Sequence, residues 1–189
     1  MILVVSGTNR EGSKTLQLSQ HLVEFIEQHP DKPEVKLLDL AELPHSLYAP
    51  GAYWNKPEDF APWSQAVLDS DGILTVVPEY NGSFPGILKF FIDHLPFPES
   101  FDQRPVSFVG LSAGQWGALR AVEQLQHVFG YRNAHVYPRR TFLPAAHQLI
   151  NKDGEITSED VEQRLIQQAH GFVDFCKLFP NPTADAVEG

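Results

Sequence analysis

Two kinds of apolar pattern alternate along the chain. Short continuous apolar runs closed by turn residues read as strands buried on both faces, and apolar positions recurring at helical spacing read as helices. Met1–Val5 (MILVV), closed by Ser6-Gly7, is the first such run. Leu18, Leu22, Phe25 and Ile26 then predict a helix from about Ser13 to about Gln28, stopped by His29-Pro30 and Pro33. Val35–Leu40 is a second strand and Gly72–Val77 (GILTVV), the most apolar stretch, a third, with a weak helix near Trp63–Asp69 between them. Gly86–Leu95 is a short helix ended by Pro96 and Pro98, and Pro105–Leu111 is the fourth strand. Ala118, Ala121, Val122, Leu125, Val128 and Phe129 share one face of a helix ending near Gly130, and Ala134–Tyr137 is a shorter fifth strand. After a turn at Asn151–Gly154, Thr157 or Ser158 caps a last helix carrying Val161, Leu165, Ala169, Phe172, Cys176 and Phe179.

Strands alternating with helices in this way imply an α/β fold, with right-handed crossovers and a parallel sheet covered on both faces. No repeat or linker divides the chain, so residues 1–179 are expected to form a single domain, with 180–189 as a flexible C-terminal tail. In a five-stranded sheet of order 2-1-3-4-5, the ligand site lies beyond the carboxyl ends of the strands, between strands one and three.

Composition narrows the partners. Fourteen Lys and Arg against twenty-four Asp and Glu give a formal charge of −10, which disfavours nucleic acid and anionic membrane. The single Cys176 excludes a disulfide framework and fits a reducing, cytoplasmic compartment. No apolar run approaches the roughly 20 residues a bilayer requires, and MILVVSGTNR lacks the basic leader of a signal peptide. The histidines show no clustered ligand spacing, so no metal site is expected.

The most unusual loops follow strands one and three. Ser6–Thr15 (SGTNREGSKT) brings two glycines, four hydroxyls and two cations to the start of the first helix. Free N–H groups and the helix dipole favour a phosphate there, with Thr8, Ser13 and Thr15 as hydroxyl donors and Arg10 or Lys14 as the neutralising cation. A Walker A loop is one residue out of register, because Ser13 separates Gly12 from Lys14-Thr15, and the dinucleotide fingerprint lacks its third glycine. The hydroxyl-rich loop suits a terminal phosphate monoester better than a pyrophosphate. Pro78-Glu79-Tyr80-Asn81-Gly82, after strand three, offers a flat ring and exposed backbone, which suit the edge of a planar heterocycle. Ser112–Gly117 (SAGQWG) after strand four allows close backbone approach.

Together these loops resemble the NAD(P)H-dependent FMN reductase family, the flavodoxin-like group that includes quinone, azo-dye and chromate reductases. Its first motif, Gly-Ser-x-Arg-x-x-Ser-x-Asn, is matched at Gly7, Arg10 and Ser13, with Thr8 for the serine and Thr15 for the asparagine. Its second, Pro-Glu-Tyr-Asn-x-Ser-x-Pro-Gly-x-Leu-Lys-Asn-x-Ile-Asp, is matched from Pro78 through Asp93, with Phe90 at the asparagine position. Its third, Ser-x-Gly-x-x-Gly, is matched by Ser112, Gly114 and Gly117, with Arg120 on the helix beyond.

The resemblance covers about residues 1–150. It implies a flavodoxin-like three-layer sandwich binding FMN, with the phosphate on Thr8, Arg10, Ser13 and Thr15. The isoalloxazine would lie against Pro78, Glu79, Tyr80 and Asn81, beside Ser112 and Gly114. It further implies NADPH or NADH as co-substrate, a ping-pong cycle to a small acceptor, and a homodimer or homotetramer. A flavodoxin-like FMN electron carrier, or a flavin-binding protein without catalysis, is the competing function. Cys176 reads as a packing residue. Leu43–Trp63, rich in Pro, Tyr and Trp, is expected to wall the flavin, within one chain or across a dimer. Arg139 and Arg140 read as a surface or interface ion pair, or as a contact for the 2′-phosphate of NADPH.

Overall fold

In the computed structural model, which describes residues 1–181, the expected elements assemble into three layers. The strands are β1 (Ile2–Ser6), β2 (Val35–Asp39), β3 (Gly72–Pro78), β4 (Pro105–Leu111), β5 (His135–Val136) and β6 (Thr141–Leu143). The helices are α1 (Lys14–Glu27), α2 (Ala61–Leu68), α3 (Gly86–His94), α4 (Leu119–Tyr131), α5 (Ala146–Leu149) and α6 (Glu159–Cys176). All strand pairs are parallel, and the order is β2-β1-β3-β4-β5, with β6 also on β4. Residues 182–189, most of the expected tail, lie outside the described residues.

Period-two alternation in the central strands divides the core in two. Ile2, Val4, Leu74, Val76, Val109 and Leu111 meet Leu18, Leu22 and Ile26 of α1 and Leu165, Ala169 and Phe172 of α6. Leu3, Val5, Ile73, Val77, Val106 and Phe108 face the other way, onto α2, α3 and α4. Because both faces are covered, β1, β3 and β4 are buried throughout. Ser13 caps α1 by accepting from the Leu16 amide at 3.1 Å, and Ser158 caps α6 through the Val161 amide.

Three expectations need correction. The fifth strand is split: β5 pairs with Pro105 and Val106, the chain leaves the sheet at Tyr137–Arg140, and β6 rejoins the same edge beside Val109–Leu111. Pro138, which has no N–H to donate, stands in the break. The last helix stops at Cys176; Phe179 lies beyond it and stacks on His135 at 4.0 Å. Arg139 and Arg140 form no ion pair among the described residues; each donates to a glutamine amide, Gln167 and Gln126 respectively.

Residues 43–63 are not a bare loop but a series of 3₁₀ turns (His45–Tyr48, Pro50–Tyr53, Glu58–Phe60) leading into α2. Leu43, Leu47, Ala52 and Phe60 anchor them in the core, and Tyr48 stacks on Phe90 of α3 at 4.8 Å. Another feature not read from the sequence is Arg104, wholly buried, whose guanidinium donates to carbonyl groups of Leu68, Ser70, Glu99 and Ser100. It ties the end of α2 to the turn before β4. No helix among the described residues is long and apolar enough to cross a membrane.

Candidate functional site

At the carboxyl ends of β1, β3 and β4 the three singled-out loops surround a cavity of about 360 Å³. Its walls come from residues 10–15, 78–80 and 111–113, and from Ala146 and His147. This is the strand-order reversal, where an open α/β sheet presents its ligand crevice.

Loop one leaves β1 through Gly7, whose amide bonds to the Val76 carbonyl at 3.0 Å. A Cβ there would stand 2.6 Å from that carbonyl oxygen, so only glycine allows β1 and β3 to diverge this closely. Thr8 is fully buried behind the wall; its Oγ1 lies 2.7 Å from Tyr80 Oη and accepts from the Arg10 amide at 3.3 Å. Arg10 is exposed, stands 5.9 Å from the centroid of the Tyr80 ring, and forms no ion pair among the described residues. Ser13 engages the amides of Leu16 and Gln17, leaving those of Lys14 and Thr15 as the first-turn donors with no intrahelical acceptor. The Lys14 ammonium is turned to the carbonyls of Ile150 and Asn151, at 2.7 and 3.0 Å. Lys14 therefore lends charge to the cavity wall while tethering the segment after α5.

Loop two is a hairpin turn. Asn81 and Gly82 have φ of 52° and 76°, and Tyr80 and Ser83 exchange both backbone bonds, at 2.8 and 3.1 Å. Positive φ at both central residues favours the Asn-Gly pair found here. Gln124 on α4 clamps the turn, donating to the Gly82 carbonyl and accepting from Ser83 Oγ at 2.6 Å. Asn81 and Gly82 thus shape the loop without lining the cavity, and Pro78, Glu79 and Tyr80 form the wall. Glu79 lies 3.6 Å from Arg120.

In loop three, Ser112 lines the cavity, and Gly114 sits just outside it, accepting from Ser112 Oγ and from the Ala145 amide at 3.1 Å. The split fifth strand matters here. β6 carries the chain to α5, and the Ala146 amide donates to the Ser112 carbonyl at 2.9 Å, setting Ala146 and His147 on the cavity rim. Those two residues and Leu111 line the site without having been read from the sequence, and Glu11, Gly12 and Ala113, inside the singled-out loops, line it without having been named as binding residues. None of residues 43–63 does, so within one chain the expected aromatic wall is not formed.

The donor set fits an elongated phosphate ester. One end offers Arg10, two helix-start amides and the hydroxyl-bearing Ser13 and Thr15; the other offers the Pro78–Tyr80 segment and the backbone of Ser112 and Ala113. The volume falls in the ~300–1,000 Å³ range of small-molecule sites. No thiol competes: burial pushes the Cys176 thiol up to about 12, and it closes α6 on the underside of the sheet, against Gly72 of β3.

A family model for NADPH-dependent FMN reductase matches residues 1–148. The chain is 30% identical over 168 residues to a 2-hydroxy-1,4-benzoquinone reductase of a Burkholderia species, covering 87% of this chain and 89% of that one. It is 36% identical over 117 residues to an FMN-dependent NADPH-azoreductase of Staphylococcus saprophyticus, covering 59% and 60%. Among solved structures, the flavoenzyme NAD(P)H:acceptor oxidoreductase FerB of Paracoccus denitrificans superimposes with a TM-score of 0.75 at 25% identity, over 94% of this chain and 97% of that one. With the three loop motifs gathered around one crevice and a family model spanning them all, the chain belongs to the NADPH-dependent FMN reductase family.

Proposed function

We propose that this protein oxidises NAD(P)H and reduces a small quinone, azo compound or similar acceptor in alternating half-reactions, using FMN held in the cavity at the β1/β3 switch point. The observation that carries the assignment is the polarity of that cavity, with phosphate donors at one end and a ring and backbone edge at the other. FMN, when bound, supplies the hydride-accepting and hydride-donating centre. The protein binds and orients it. Arg10, the amides of Lys14 and Thr15 and the hydroxyls of Ser13 and Thr15 take the phosphate. Thr8 holds Tyr80, and Pro78, Glu79 and Tyr80 border the ring while Ser112 sets its far edge. Asn81, Gly82 and Gly114 keep the two loops in shape rather than touching the cofactor.

The acceptor class follows the names of the relatives, one acting on a hydroxybenzoquinone and another on azo compounds. The single buried cysteine suits a reducing cytoplasm. We also infer a homodimer or homotetramer.

The test is direct. Protein supplied with FMN should show the visible bands of oxidised flavin, bleach on addition of NADPH under argon, and recolour with benzoquinone. Binding of FMN without NADPH or NADH oxidation would make the protein an electron carrier, and failure to bind FMN would refute the assignment.

A further inference from the structure

The polar side chains that line the cavity divide into two groups. Ser13 Oγ accepts from the Leu16 amide, Ser112 Oγ donates to the Gly114 carbonyl, and the Lys14 ammonium donates to the carbonyls of Ile150 and Asn151. Tyr80 Oη meets Thr8, and Glu79 faces Arg120. The side chains of Arg10, Glu11, Thr15 and His147 instead make no hydrogen bond or ion pair among the described residues. Arg10 and Thr15 already have a task, since both stand at the phosphate end. His147 is the remaining group able to donate to a ligand.

The imidazole is mounted more firmly than an idle surface residue requires. α5 is a single turn, held at both ends. Before it, the amides of Ala145 and Ala146 donate to the carbonyls of Gly114 and Ser112, at 3.1 and 2.9 Å. After it, the Ile150 amide closes on the Ala146 carbonyl at 3.0 Å, and the Ile150 and Asn151 carbonyls receive the Lys14 ammonium. Ala146 and Ile150 are buried, while His147 between them is exposed at the cavity. Ala145 has φ of 46°, a left-handed conformation that its Cβ disfavours and that these bonds maintain. The turn therefore spans from loop three to the start of α1. It sets His147 along the wall that joins the Ser112 backbone to the amides of Lys14 and Thr15.

Charge indicates what the imidazole meets there. The titratable groups around it in the cavity are Arg10, Glu11 and Lys14 of loop one and Glu79 and Tyr80 of loop two, and loop three and α5 add no other. Glu79 is offset by Arg120, so loop one is left with one positive charge in excess. A phosphate monoester brings nearly two negative charges at pH 7. An imidazolium supplies the missing charge together with an N–H donor, and histidine is the side chain that gains that charge between pH 8 and pH 5. We propose that His147 is a ligand of the FMN phosphate, donating to it from α5 as an imidazolium, so that the cofactor is held more tightly below neutral pH than loop one alone achieves. The inference rests on the FMN assignment above and adds to that site a residue and a pH dependence.

Fluorescence titration of the full chain, freed of flavin, with FMN and with riboflavin at pH 6 and pH 8.5 tests it. His147→Gln keeps a donor but not the charge. It should raise the FMN dissociation constant ~10-fold or more at pH 6 and ~3-fold or less at pH 8.5, relative to wild type at the same pH. Taking the ratio at each pH cancels the titration of the phosphate itself, which falls in the same range. Riboflavin, which lacks the phosphate, should bind both proteins equally. His147→Arg keeps its charge at both pH values, so its advantage over His147→Gln for FMN should not change with pH. Equal losses for FMN and riboflavin, a ratio that does not move with pH, or a His147→Gln variant that binds FMN as wild type does would each overturn the role of His147 while sparing the FMN assignment. A wild-type protein that takes up no FMN would overturn both.

Discussion

Replacing Tyr80 with Phe should destabilise the protein more than replacing Thr8 with Val, although both remove the same hydrogen bond. Thr8 Oγ1 has two neighbours, the Arg10 amide at 3.3 Å and Tyr80 Oη at 2.7 Å. The amide can only donate, so the arrangement that satisfies the threonine has its hydroxyl donating to Tyr80. Thr8 is fully buried, whereas Tyr80 is half-buried at the cavity edge. Tyr80→Phe therefore leaves the buried Thr8 O–H without an acceptor and out of reach of water, at a cost of ~1–3 kcal/mol, although its oxygen still accepts from the Arg10 amide. Thr8→Val replaces that hydroxyl by a methyl of the same shape, and both the Tyr80 phenol and the Arg10 amide turn to solvent, for less than ~1 kcal/mol. At ~2–4 °C per kcal/mol for a domain of this size, apo Tyr80→Phe should melt ~4–8 °C below wild type. Thr8→Val should lose ~3 °C or less, and the double variant should lie near Thr8→Val, with a coupling of ~1 kcal/mol. The assay is thermal unfolding of the apo protein by circular dichroism. The same order is expected in FMN dissociation constants from quenching of flavin fluorescence, since the pair joins loops one and two. Additive losses, or a Thr8→Val variant less stable than Tyr80→Phe, would refute the reasoning.

Arg10→Gln should weaken FMN by ~10–100-fold, the range of a charge-assisted bond, and leave riboflavin binding unchanged; equal losses for both ligands would remove Arg10 from the phosphate. Gly72→Ala places a Cβ 2.3 Å from Cys176 Sγ and 2.9 Å from Phe172, an overpacking of ~1–3 kcal/mol that Cys176→Ala should relieve in part. Burial holds the Cys176 pKa up at about 12, so the thiol should not react with Ellman's reagent at pH 8 until the chain is unfolded. The sign of the linkage follows. Above its ordinary pKa the unfolded thiol loses its proton and the folded one keeps it, so stability falls by ~1.4 kcal/mol per pH unit between about 9 and about 12. Denaturant melts across that range should show a shallower decline in Cys176→Ala, with NADPH oxidation at pH 7 unaltered.

The sequence disclosed most where one signal dominated. Buried strands show as unbroken apolar runs, and α1 and α6 show as amphipathic stretches with a serine cap, so β1, β3, β4 and both helices fell within a few residues of expectation. Short elements were less legible. β6 has three residues and α5 four, too few for any period to emerge, and Pro138-Arg139-Arg140 reads as a polar surface. That is why Ala146 and His147 were missed: they are set at the cavity by backbone bonds from Ala145 to Gly114 and from Ala146 to Ser112, not by a motif of their own. Side-chain direction was also hidden. The sequence placed Lys14 beside a phosphate, but its ammonium turns to the Ile150 and Asn151 carbonyls some 136 residues away along the chain. Arg104 is the clearest case, a charged residue that pattern reading assigns to solvent and the fold buries among carbonyls.

Lys14 bears on how so acidic a chain holds an anion. Loop one contributes Arg10 and Lys14 against Glu11, while Glu79 at the other end of the cavity faces the Arg120 guanidinium rather than standing alone. The field across the cavity is therefore most positive where β1 hands over to α1, and the helix-start amides of Lys14 and Thr15 add to it there. Tethering Lys14 to the α5 segment does not remove its charge from this sum; it fixes the ammonium in place beside the cavity wall. Lys14→Met would remove charge and tether together, whereas Lys14→Arg keeps the charge and alters the tether. FMN affinity near wild type in Lys14→Arg, with a loss in Lys14→Met that shrinks at high salt, would establish the residue as an electrostatic contributor. A salt-independent loss in both variants would make it a strut for the rim that carries His147.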